Sequence, residues 1–182
     1  ISNIADFLTT SERAFRLSEF PHFFGAEVDI TLGNEHLMNS AQALLSLLSA
    51  PDRKVEIRAR ENSMRDTVFL GLWKDAPQVG HYLASGGIQV GESLRTPFTP
   101  ITTLEGAALV YLYENQGRYL LTILGDSQDT LEEMVDRLEN GEFRKGLVSD
   151  MLGVYRIGEI PSPTPSPTPT ATPSMRGERP LP

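Results

Sequence analysis

The chain has 182 residues, a formal net charge of −8 and no cysteine, which is enough length for one domain with a real core and excludes disulfides, thiol catalysis and cysteine-based metal sites. Of its 16 basic and 24 acidic residues, only Arg176, Arg179 and Glu178 lie beyond Ile160. The body up to Ile160 is therefore strongly acidic, which disfavours nucleic acid, because that binding is led by cations neutralising phosphates.

In chain order, "VDITL" (Val28 to Leu32) alternates as a strand. In "NEHLMNSAQALLSLLS" after it, Asn34 is placed as an N-cap, and Leu37, Ala41, Leu44, Leu45 and Leu48 form one apolar stripe at helical spacing. Pro51 and Asp52 break the chain. "KVEIRAR" then sets Val55, Ile57 and Ala59 against charges, the pattern of a half-exposed edge strand. "TVFLGLW" is apolar almost throughout and reads as a central strand buried on both faces. "DAPQVGHYLAS" predicts a short helix opened by Asp75, with Pro77 in its first turn and Gly86 and Gly87 at its end.

"GESLRTPFTPITTLEG" reads as a loop by its prolines and threonines. "AALVYLY" and "RYLLTIL", joined by "ENQG", read as an antiparallel hairpin with Asn115 and Gly117 at the reversal. "GDSQDTLEEMVDRLENG" predicts a helix with Thr130 and Glu133 as capping box, a stripe of Leu131, Met134, Val135 and Leu138, and Gly141 as stop. A short amphipathic turn and a last strand, Val154 to Ile157, close the body. Strands interleaved with helices plus one hairpin describe an α/β layered sandwich with a mixed sheet over residues 1–160.

Residues 161–182 differ in kind. "PSPTPSPTPTATPS" cannot join a helix or a ladder, because proline lacks the N–H and pushes the preceding residue to extended backbone. A disordered Pro/Ser/Thr-rich linker or tail is expected, a stiff spacer of about 3.1 Å per residue. The chain begins at Ile1, with neither a signal peptide nor an apolar run of about 18 residues, and is expected to be a piece of something larger.

Chemistry is sparse. A flavin phosphate would need a Ser/Thr/Gly-rich loop after the first strand, where this chain has "LGNEH", so no cofactor is expected. "GGIQVG" fits neither the dinucleotide fingerprint nor the P-loop. In "GDSQDT", Asp126 and Asp129 could hold a cation or accept a phosphoryl group, but helix capping explains them without a ligand. His22, His36 and His81 are too scattered for a zinc pair, so no metal is expected. Glu132 and Glu133 diverge by roughly 100° around the helix axis and read as surface charges. Trp73, at the exit of the central strand, is the candidate carbohydrate-binding residue, a stacking platform for a sugar ring, with core or rim packing as its alternative role. No set of residues supports catalysis.

"LSEFPHFF" (Leu17 to Phe24), followed by a strand and the helix "NSAQALLSLLS", resembles the Leu-x-x-Phe-Pro-x-x-Phe opening of the flavodoxin-like domain found in the family of bacterial cellulose synthase regulatory subunits. "TVFLGLW" matches that family's middle strand, and "GAALVYLYENQGRYLLTILGDSQDTLEEMVDRL" is similar to its closing strand, turn, strand and helix. The resemblance implies a noncatalytic extracytoplasmic protein, membrane-anchored through a segment absent from this chain. Its implied partners are the catalytic subunit of the glucan synthase, other domains of the same polypeptide and the polysaccharide itself. The chain departs from the family in lacking a jelly roll and a membrane helix and in its long tail. On this reading Ser162 to Ser174 bridges the domain to its anchor. The competing expectation is a structural or adhesive surface module without glucan binding. A receiver-like domain phosphorylated at Asp126 would need acids at several strand ends, whereas Asp29 lies inside its strand.

Overall fold

The computed structural model describes residues 16–62 and 64–157. The expected tail at 161–182 and the boundary at residue 160 lie outside them. Six strands make one mixed sheet: β1 Glu27–Leu32, β2 Lys54–Arg58, β3 Asp66–Leu72, β7 Ala107–Asn115, β8 Arg118–Gly125 and β9 Leu152–Arg156. Their order is β2-β1-β3-β8-β7-β9. All pairs are parallel except those of β7, which runs antiparallel to both β8 and β9. The first three strands keep the 2-1-3 order of flavodoxin-like sheets. The expected α/β sandwich with a mixed sheet and one hairpin is thus the fold.

Each strand sends alternate side chains to opposite faces, so the one sheet serves two cores. On the first face Val28, Ile30, Val68, Leu70, Leu121 and Ile123 meet helices α1 (Met38–Leu48) and α3 (Gln128–Asn140), which pack side by side. The "LSEFPHFF" stretch closes this core: Leu17, Phe20, Phe23 and Phe24 are all buried, and Phe20 stands edge-on to Phe143 at 5.8 Å. The Phe20–Pro21 peptide is cis. On the second face Phe69, Leu109, Leu120 and Leu124 are covered by a 3-10 segment Trp73–Val79, by helix α2 (Gly80–Ser85) and by Leu94 of a small sheet.

β2 is an edge strand of intermediate burial and β3 is central and buried, as their patterns predict. Five expectations need correction. The helix expected to open at Asp75 is a 3-10 segment over Trp73–Val79, and only Gly80–Ser85 is α-helical. The segment read as loop carries a three-stranded antiparallel sheet with β4 Gln89–Val90, β5 Ser93–Arg95 and β6 Thr102–Thr103. Strands of two or three residues are too short to show a period. Asn34 does not cap with its side chain; its Nδ2 donates to Asp75 Oδ2 at 2.9 Å, and a 3-10 turn Glu35–Leu37 precedes α1. Helix α3 is capped by Ser127, whose Oγ accepts from Thr130 N at 3.2 Å, so Thr130 lies within the helix and Glu133 pairs instead with Arg137 at 3.0 Å. In the hairpin, Asn115 is still paired with Arg118, and the reversal is made by Gln116 (φ 53°) and Gly117 (φ 78°).

Candidate functional site

In doubly wound sheets ligands sit beyond the carboxyl ends of the parallel strands. Here two acids at that edge, Asp75 and Asp126, are engaged by the protein itself. Asp75, in the segment after β3, accepts from Leu72 N at 2.9 Å and from Asn34 Nδ2 at 2.9 Å. Its carboxylate lies against Gly33 so tightly that a Cβ added there would come within 2.5 Å of Asp75 Cγ. Asp126, after β8, accepts from Gly106 N at 2.6 Å and from the Thr130 hydroxyl. Burial raises the pKa of Asp126, but the hydrogen bonds from Thr130, Gly106 and Ser127 outweigh it and hold the group below the ordinary carboxylate range. Asp129 is exposed at the start of α3.

Trp73 is only 8 % exposed, and its Nε1 donates to Leu104 O at 3.1 Å. Most of the ring belongs to the second core. What remains of it lines an open groove of about 670 Å³ between the Trp73–Gly80 stretch and residues 88–95. Pro77, Ile88 and Val90 add apolar surface, and Lys74, Gln89, Glu92, Ser93 and Arg95 add polar groups. Sequence reasoning reached Trp73 but not these partners, because the short strands β4 and β5 fold them back onto the Trp73 segment. The one available signal was polar residues crowded around Gly91 in "QVGESLR".

A smaller cavity of about 220 Å³ opens on the second face, floored by Thr31, Phe69 and Leu120 and walled by Arg60 and Glu61 on one side and by Gln78 and Val79 on the other. Beside it Tyr82 donates to Glu61 at 2.8 Å, and burial first, then that carboxylate, push the Tyr82 phenol up to about 12. The Tyr82 ring stacks near Tyr113 at 5.1 Å and beside His81 at 3.6 Å. His22, His36 and His81 are exposed, and among the described residues no group of three or more His, Asp or Glu is placed to hold a metal ion.

The remaining concentration of charge lies on β1 and β2. Asp29 is fully buried and its Oδ1 meets Arg58 Nε at 3.1 Å and Arg65 Nη1 at 3.2 Å. Glu56 meets Arg65 Nη1 at 3.0 Å and Lys54 Nζ at 2.7 Å. This network clamps the edge of the sheet; every member already has its counter-charge.

No family model matches the chain, and no curated protein matches it. Among solved structures it is similar to one described as "Structure of CpGH84D", with 14 % sequence identity and a TM-score of 0.48 over 74 % of this chain and 20 % of that chain. The chain thus spans about a fifth of that protein's length.

Proposed function

We propose that the chain is a noncatalytic, extracytoplasmic accessory or scaffold domain of a membrane-anchored complex that synthesises or exports a cellulose-like glucan, and that the polymer is touched along the groove beside Trp73. The observation that carries this reading is the make-up of that groove. Apolar surface from Pro77, Val90 and the uncovered edge of Trp73 suits the C–H faces of a sugar, while Gln89, Glu92 and Ser93 offer donors and acceptors to its hydroxyls. An open groove rather than an enclosed cavity fits a long chain passing through. With Asp75 and Asp126 bound within the protein, this reading gives the domain the part of holding and positioning.

Titration calorimetry of the full chain with cellohexaose tests this. Expected is a dissociation constant in the millimolar range, weakened about fivefold, or ~1 kcal/mol, when Gln89 and Glu92 are both replaced by Ala. Trp73→Phe keeps the core filled while removing the indole, and is expected to weaken binding as well. Absence of heat with every oligosaccharide would leave the second reading, an adhesive surface module. That reading has its own support in Phe98 and Ile101, 58 % and 65 % exposed on one loop. Thr96 Oγ1 stiffens the loop by accepting from Phe98 N at 3.3 Å and Thr99 N at 3.1 Å.

A further inference from the structure

Basic side chains in this domain are scarce and nearly all engaged. Arg58 and Arg65 hold Asp29, Arg53 caps the carbonyls of Phe24, Gly25 and Leu48, and Arg137 pairs with Glu133. Among the described residues, the exceptions with neither an ion pair nor a hydrogen bond are Arg60, Lys74 and Arg95. All three are exposed, yet each borders a concavity. Lys74 and Arg95 line the groove beside Trp73, and Arg60 lines the smaller cavity. In a chain of net charge −8, cations find acidic neighbours easily, so two left unpaired about one concavity are placed to meet an anion from outside.

We infer that the glycan taken by this groove carries carboxylates, gripped through Lys74 and Arg95. The inference rests on the groove being a saccharide site, as proposed above. A guanidinium matches a carboxylate in bidentate fashion and an ammonium adds a point charge, while a concave wall of low dielectric focuses their field. Glu92 is the sole carboxylate of the lining. It accepts from hydroxyls and repels ligands whose charge is dense, so the groove selects a sugar chain with both hydroxyls and carboxylates over a bare polyanion. Gln89 and Ser93 complete the hydroxyl-binding set, and the apolar surface of Pro77 and Val90, with the uncovered edge of Trp73, takes the sugar's C–H face.

Cello-oligosaccharides and the same chains oxidised to carboxylates at C6 separate charge from backbone. Titrated into the full chain at low salt, the oxidised oligomer is expected to bind about tenfold more tightly than the neutral one. Raising ionic strength from about 0.02 to about 0.2 M should erode that preference severalfold while leaving the neutral oligomer unaffected. The double variant Lys74→Gln, Arg95→Gln alters exposed side chains only, and is expected to bring the two ligands within about twofold of each other. Arg60→Gln should retain the preference. Equal affinities in the unaltered chain, or a preference that survives the double variant, would overturn the inference and leave the saccharide groove standing. Binding of neither oligomer would overturn both.

Discussion

Glu56 shows what single side chains do here. Hydrogen bonds from Lys54 and Arg58, opposed by some burial and joined by Arg65, lower its pKa to about 2. A carboxylate depressed in the folded state stabilises fully above its unfolded pKa of about 4.5, and that contribution disappears as pH falls through the folded value. Glu56→Gln should therefore lower the urea midpoint at pH 6, with the gap to the unaltered protein closing between pH 4.5 and pH 2. A gap constant with pH would show that Glu56 is not ionised in its network. Asp29 is the buried anchor of the same network. Its Oδ2 has no hydrogen-bond partner, so the two arginines on Oδ1 carry the compensation for its desolvation. The sequence announced the edge strand through alternating charge, yet nothing in it foretold that Asp29, on the inner side of β1, would be the charge those arginines reach.

At the scale of elements, α3 owes its start to Ser127. Replacing that residue with Ala removes the acceptor for Thr130 N and should cost about 1 kcal/mol, read as a lowered Tm with the fold retained. Thr130→Ala separates the two assignments of the cap: Thr130 is 5 % exposed and inside the helix, so its loss acts through packing and the Asp126 hydrogen bond. The sequence offered Thr130 as the cap, and only the backbone, extended at Ser127 with φ −146°, places it three residues earlier. The stripes of α1 and α3 were legible because a 3.6-residue period is repeated over several turns. The small sheet was not, since β4 to β6 acquire their pairing from each other and from the packing of Leu94 into the second core. The groove shared that fate: its lining comes from two stretches brought together by this sheet, so only the polar "QVGESLR" hinted at it, and Trp73 was visible as the single tryptophan of the chain, at a strand exit.

For the whole molecule, both cores rest on opposite faces of one sheet, and loss of either exposes the other's floor. Unfolding is expected to be a single cooperative event. Trp73 reports the second core by fluorescence, whereas far-UV circular dichroism is dominated by α1 and α3 over the first. The two denaturation curves should coincide within error; a fluorescence transition at clearly lower denaturant would mean that the Trp73 side melts alone. The contact of Asp75 with Gly33 has a consequence at this scale. The Asp75 carboxylate packs on Gly33, just past the end of β1, where any side chain would obstruct it. A phosphate arriving at that end of the sheet would have to displace the Asp75 carboxylate and its bonds from Leu72 N and Asn34 Nδ2.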